Sequence, residues 1–272
     1  MKLSCSKKIF RGWCLVLLIF ALPKSANALQ PNLAGFGFFD GNGALDRDVS
    51  SYKLLLKDLT EILVASPSDP AITVGSLGIQ LDAGVGAAFV SNSSVVWQKG
   101  TVNPDPMIPI LDLSMRKGLP WAFEMAGRVT YPIASGIWAL GLELKGAPIE
   151  GMDGIPDVSV GVGASTAVGI DSLSILALHG RIVMSQGFGV GKSVRLTPFG
   201  GYQFIAVHGM TRVLGILDGS GELHQFLLPT TDQTVHRGFA GIHVAIGPAL
   251  VSVSASSSNR VRTARLQVGL LY

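Results

Sequence analysis

Past residue 28 this 272-residue sequence contains no cysteine, because Cys5 and Cys14 both lie in the first 28 positions. That excludes a disulfide framework and thiolate metal sites for the remainder. Charge is also scarce: Asp, Glu, Lys and Arg make up 14% of the chain, against about 25% in ordinary soluble domains. Yet no run after residue 28 is long enough for a transmembrane helix, which needs roughly 20 apolar residues. Catalytic and nucleotide motifs are missing too. There is no G-x-S-x-G elbow, no H-E-x-x-H pair and no H-x-S pair. Gly187 to Ser193 has the look of a phosphate loop, but Gln186 stands where that pattern requires glycine. It reads as a glycine-rich turn.

The N-terminus has a three-part export layout. Lys2, Lys7, Lys8 and Arg11 form a basic start, Trp13 to Leu22 an apolar core, and Ala26-Asn27-Ala28 an A-x-A cleavage pattern. Residues 1–28 are therefore expected to be a signal peptide cut after Ala28. The alternative, a retained anchor, has too short an apolar core to cross a ~30 Å hydrocarbon layer. Cys14 precedes most of the apolar run, which argues against a lipoprotein. All cations of this segment leave with it. From 21 Lys+Arg against 18 Asp+Glu, the mature part keeps 16 against 18, a net charge of −2. Nucleic-acid binding loses its electrostatic basis.

What is present is period-2 alternation. Leu77, Ile79, Leu81, Ala83, Val85, Ala87 and Phe89 alternate with Gly78, Gln80, Asp82, Gly84, Gly86 and Ala88. Similar rows run from Trp121 to Tyr131, from Trp138 to Lys145 and from Val158 to Ile170. Weaker candidates cover 109–115, 173–185, 193–206, 236–247, 249–256 and 260–272. The polar rows are mostly Gly, Ser and Ala, which suits a crowded lumen better than a solvated face. Apolar rows of this length without a spanning helix point to a closed barrel, the other architecture that satisfies every backbone group in lipid. The expected fold is all-β: an antiparallel transmembrane β-barrel of about ten strands over 71–272, with both ends on the periplasmic side. A soluble β-sandwich or lipocalin-like barrel is the alternative.

The topology places turns at 116–118, 187–192 and 247–248, and long extracellular loops at 91–108 and 207–235. Lumen-lining residues are expected at Gln80, Asp82, Glu124, Arg128, Glu143, Lys145, His179, Arg181, Arg195, His243 and Arg265. An aromatic girdle is expected at Trp121, Tyr131, Trp138, Tyr202 and Tyr272. In the 132–136 hairpin, paired residue numbers summing to 269 set Glu124 beside Lys145, whereas 267 would oppose Glu124 and Glu143. Residues 29–70 form an N-terminal segment without alternation. Within it Val49, Tyr52, Leu55, Leu56, Leu59, Ile62 and Leu63 recur at helical spacing, giving a helix at about 49–65. Its expected seat is the periplasmic rim, with a lumenal plug or a membrane-surface helix as alternatives. His208, His224 and His236, near Asp218, Glu222 and Asp232, read as surface histidines rather than a metal or acid–base site.

Arg116-Lys117-Gly118-Leu119-Pro120, Ala139-Leu140-Gly141-Leu142-Glu143-Leu144-Lys145 and Thr197-Pro198-Phe199-Gly200-Gly201-Tyr202 resemble segments of uncharacterised outer-membrane β-barrel proteins of Gram-negative bacteria. The C-terminal strand ending in Tyr272 resembles the signature that barrel assembly machinery recognises. The resemblance implies a fold, outer-membrane lipids as surroundings and an outer-membrane location, and carries over no site residues. The reading that follows is a narrow pore or conduit for small solutes or lipids. The first alternative is a non-transporting envelope scaffold or binding protein using loops 91–108 and 207–235. The second is an outer-membrane lipid hydrolase. No cofactor, metal or catalytic residue is assigned, and no oligomeric state is read.

Overall fold

The computed structural model describes residues 29, 31–41, 43–90, 95–101, 105–133, 135–152, 154–191 and 193–272. The expected signal peptide lies outside the described residues. In chain order the strands are β1 (Gly37–Phe39), β2 (Leu45–Arg47), β3 (Ile79–Phe89), β4 (Met107–Leu119), β5 (Phe123–Pro132), β6 (Trp138–Ile149), β7 (Asp157–Val168), β8 (Leu173–Ser185), β9 (Phe188–Val190), β10 (Val194–Thr211), β11 (Leu214–Leu217), β12 (Leu223–Phe226), β13 (Thr231–Ile246), β14 (Ala249–Ser257) and β15 (Arg262–Leu271). Two helices are described, α1 (Val49–Leu63) and α2 (Val95–Gly100), beside a 3-10 turn at Leu33–Phe36.

Ten strands pair antiparallel into a closed ring: β3, β4, β5, β6, β7, β8, β10, β13, β14 and β15, with β15 returning to β3. β9 adds a short ribbon to β10, while β1–β2 and β11–β12 form separate hairpins. The ring leaves no open edge, as lipid demands. Both its ends sit at one rim, where Ile79 and Tyr272 exchange backbone hydrogen bonds of 3.0 and 2.8 Å. We call this the near rim and the opposite one the far rim.

Alternation decides what faces where. Leu81, Leu113, Met125, Leu142, Val162, Ile182 and Val268 point outward and are exposed, Leu142 by 68%. Residues of the other parity are buried, among them Gln80, Asp112, Glu124, Arg181 and Gln203. An apolar belt on this scale exceeds the few hundred Å² that soluble monomers expose. The hydrocarbon rows do not meet in a dry interior, so the soluble alternative is set aside. Inward glycines make room for long polar neighbours. Gly84 faces Gln267, Gly86 faces Arg265, Gly161 faces Arg181 and Gly163 faces His179 across the ladder. A Cβ on Gly163 would lie 2.6 Å from His179 Nε2. The small residues of the polar rows are thus the space the charged residues occupy.

Several boundaries differ from the sequence expectation. β4 continues to Leu119, so the turn lies at 120–122 rather than 116–118. Trp121 sits in that turn with φ of 60° and is 91% exposed, instead of opening β5. β10 and β13 run well into 207–235, extending as a paired ribbon to Gly209↔Thr231. What remains of that loop carries the β11–β12 hairpin. The segment 91–108 contains α2 and the first residues of β4.

The largest correction concerns the helix at about 49–65, which does not pack on the periplasmic rim but plugs the lumen. Residues 49–76 fill the barrel, while the β1–β2 hairpin stays exposed at the far rim. Asp48 caps α1, accepting from Ser51 N at 3.1 Å. Lys99 lies 2.7 Å from Asp48 and holds its carboxyl well below the usual carboxylate range. The helix buries Tyr52, Leu55, Leu56, Leu59 and Ile62 against Ile108, Ile110, Ala139, Ile175 and Val207, all inward residues near the far rim. The far part of the lumen is therefore apolar, because it houses a helix face. From Val64 the chain descends through the lumen and leaves at the near rim into β3. There Gly118 is required: a Cβ would meet Gly75 O at 1.7 Å.

Candidate functional site

The lumen is sealed by a charge network centred on the inserted arm. Asp69 stands between two prolines, Pro67 and Pro70, in an extended stretch with no other acid. Its carboxylate meets Arg128 at 2.8 Å, Lys145 at 3.2 Å, Arg181 at 3.0 Å and Arg116 at 3.6 Å. Those cations come from β5, β6, β8 and β4. Wall carboxylates extend the network. Arg116 also approaches Asp82 at 3.4 Å and Glu124 at 3.8 Å, and Lys145 lies 3.1 Å from Glu124. Glu143 binds Arg181 and sits 3.3 Å from His179 Nε2. Glu124 pairs with Lys145 across the β5–β6 ladder, the register whose paired numbers sum to 269.

Among the described residues, the wall turns seven cations inward or onto the arm: Arg116, Arg128, Lys145, Arg181, Arg237, Arg260 and Arg265. It also buries five carboxylates, Asp82, Asp112, Glu124, Glu143 and Asp157, and its Glu150 accepts from Thr73 of the arm. The arm adds buried Asp58, Glu61 and Asp69. Asp58 takes Arg260 in a two-point contact of 2.6 and 2.8 Å and accepts from Trp97 Nε1 at 2.8 Å. Arg265 pairs with Asp112. Burying any of these ions without its partners would cost several kcal/mol.

The arm's backbone is satisfied by wall side chains as well. Arg237 donates to the carbonyls of Glu61 at 3.1 Å, Val64 at 2.9 Å and Ala65 at 2.8 Å, and to Gln203 Oε1 at 2.8 Å. A cation on the last carbonyls of a helix is the favoured end arrangement. Lower down, Ser252 Oγ donates to Ser68 O at 2.5 Å and Ala71 N to Ser185 Oγ at 3.0 Å. Lys145 donates to Ile72 O at 3.1 Å, and Val74 N to Glu124 Oε2 at 3.0 Å. Beside the arm a cavity of about 20 Å³ remains, bounded in part by Arg128, Thr130, Glu143 and His179. That is room for about one water.

The residues expected to line the lumen sort as follows. Gln80, Asp82, Glu124, Arg128, Glu143, Lys145, His179, Arg181, His243 and Arg265 are on the inner parity and shielded. Arg195 shares that parity but is exposed at the near rim, beside Gly187. Asp69, Arg237 and Asp112 belong to the site and were missing from the expectation. Of the expected girdle, Tyr131 and Trp138 stack at 4.4 Å near the far rim, and Tyr202 bonds the His236 ring on the outer face. Tyr272 is 72% exposed at the near rim, the side that also carries Trp121.

The loop histidines do not converge. His208 pairs with Asp232 at 2.7 Å and His224 with Asp218 at 3.1 Å. Asp218, Glu222 and His224 gather at the tip of the β11–β12 hairpin, where Asp218 Oδ1 already accepts from Ser220 and Glu222. Among the described residues no serine hydroxyl bonds a histidine. Gly187 to Gly191 is β9 and a turn, with no following helix; Lys192 lies outside the described residues.

This is the architecture of the outer-membrane β-barrels: a closed antiparallel ring, apolar outside and charged inside. No family model matches the chain, and no curated protein matches it. Solved structures with similarity include Ail, the attachment invasion locus protein of Yersinia pestis, at 12% identity over 72% of this chain and 99% of that one, with a TM-score of 0.27. The N-terminal β-barrel domain of Pseudomonas aeruginosa OprF gives 11% identity, 73% and 99% coverage and 0.28. The KdgM porin in complex with disordered oligogalacturonate gives 6%, 70% and 98%, and 0.35. The fold assignment itself stands on the chain's own strand pairing.

Proposed function

We propose that the mature protein is a bacterial outer-membrane barrel held shut by its own N-terminal arm, serving as a closed scaffold for the layer at its far rim. In this reading residues 1–28 direct export and are cleaved near Ala28. The strand ending in Tyr272 engages the barrel assembly machinery, and outer-membrane lipids surround the apolar rows. The observation that carries closure is the lumen itself, occupied from rim to rim by residues 49–76 and cross-linked at Asp69 to four strands. An open conduit for solutes is not compatible with a lumen filled along its length by residues 49–76. The far rim presents what a scaffold would display: β1–β2, α2 and the β11–β12 hairpin.

A second reading is a gated conduit, opened by displacement of the arm. It is favoured by the charged side chains of the wall, which would line a vacated lumen. Reconstitution of the whole mature chain in planar bilayers tests the proposal. Electrical silence at moderate voltage is the expected result. Steady conductance steps would overturn closure.

A further inference from the structure

The path of the arm fixes which side of the membrane the N-terminal end occupies. Connections at the near rim are short or compact: 120–122, 150–156, 186–193 and 247–248. The two longest connections, 90–106 and 212–230, are both at the far rim. Barrels of this class carry short turns on the periplasmic side and long loops outside. The far rim is therefore the outer face, given the outer-membrane location proposed above, on which this inference rests. Leu29 is buried in the far-rim core with Phe36 and Trp97, and Pro31 bridges Thr101 just after α2. From there the chain runs down the lumen and enters β3 at the near rim. One end of the segment is outside and the other inside.

We propose that residues 29–76 are a translocated arm: the chain passes outward through its own barrel, so that its mature N-terminal end is displayed on the cell surface, opposite the barrel's strand ends. Two features make the crossing part of the fold rather than an accident of docking. Asp69 of the arm meets Arg116, Arg128, Lys145 and Arg181 of the wall, and Asp58 meets Arg260. Its backbone polar groups are bonded by side chains from β5, β6, β8, β13 and β14 along the descent. A barrel folded with the arm on the periplasmic side would take both carboxylates away from these cations. Whatever is fused ahead of Leu29 is carried to the outside by the same route.

The mature sequence has no cysteine, so single-cysteine variants report cleanly. Ala44→Cys lies between β1 and β2 on the arm, Ser220→Cys on the β11–β12 tip and Ser193→Cys at the near rim; all three positions are exposed. Intact cells are treated with a membrane-impermeant maleimide, with and without outer-membrane permeabilisation. The expected result is full labelling of Ala44→Cys and Ser220→Cys in intact cells, with Ser193→Cys labelled only after permeabilisation. Labelling of Ser220→Cys with protection of Ala44→Cys would overturn the translocated arm and leave the outer-membrane barrel standing. Labelling of Ser193→Cys with protection of Ser220→Cys would reverse the orientation and overturn the inference. Protection of all three in cells, with the protein in the soluble periplasmic fraction, would remove the outer-membrane reading itself.

Discussion

Replacing Asp69 by asparagine removes one negative charge at the meeting point of Arg116, Arg128, Lys145 and Arg181 while keeping the side chain's shape. Breaking a buried ion pair from one side typically costs about 3–5 kcal/mol. Three of the four cations keep another carboxylate: Arg181 keeps Glu143, Lys145 keeps Glu124, and Arg116 keeps Asp82 and Glu124. Arg128 retains only the Ser66 carbonyl at 3.4 Å. The loss therefore falls near the lower end, about 3 kcal/mol, on the order of 100-fold in the equilibrium between seated and released arm. Urea unfolding in lipid vesicles should show a lowered midpoint. The same variant in planar bilayers should show brief openings that the parent lacks. Asp69→Asn combined with Arg128→Met should recover part of the loss, since both partners of the most exposed pair are then gone. An Asp69→Asn protein within about 0.5 kcal/mol of the parent, the range of an ordinary surface substitution, and electrically silent, would refute the placement of this carboxylate at the centre of the lumen.

Arg237→Met leaves three carbonyls near the end of α1 without their donor; a loss of about 2–4 kcal/mol is expected, with faster amide exchange in the last turn of α1, measured by hydrogen–deuterium exchange. Leu142→Arg places a charge on the outward belt and should cost about 2–4 kcal/mol in bilayers, read by urea titration; an unchanged midpoint would argue against lipid contact there. Exchanging the charges of the ladder pair, Glu124→Lys with Lys145→Glu, should be less damaging than either single change in a double-mutant cycle, because each single change sets like charges side by side. If the double variant is worse than the sum of the singles, the two side chains do not share a site.

The barrel strands were legible because lipid and lumen impose opposite chemistry on alternate residues, so rows such as Leu140, Leu142 and Leu144 against Glu143 and Lys145 carry the fold in the sequence. The β5–β6 register was legible for a second reason: of the sums 267 and 269, only 267 sets Glu124 against Glu143. The turn after β4 was misplaced because Gly118 reads as a turn glycine, whereas it is small to let the arm pass beside Gly75. The arm's seat was not legible from α1. An amphipathic helix buries one face whether it lies on a rim or inside a barrel, and its pattern is the same in both. The signals that point to it are indirect: a lone acid between two prolines at Asp69, and inward isoleucines at 108 and 110 where a narrow lumen would otherwise carry small or charged groups. The boundary of the extracellular loop failed because β10 and β13 extend past the membrane belt as a ribbon, where lipid no longer dictates which residues are apolar.

Spin labels placed singly at Leu142, Val162 and Met184, three outward positions on β6, β7 and β8, test the orientation on which all of this depends. In lipid vesicles, collision rates should be high with molecular oxygen and low with a water-soluble nickel chelate at all three sites. High collision rates with the chelate at those sites would mean that the apolar rows face water, and the lipid-embedded barrel with its charged, arm-filled interior would be wrong.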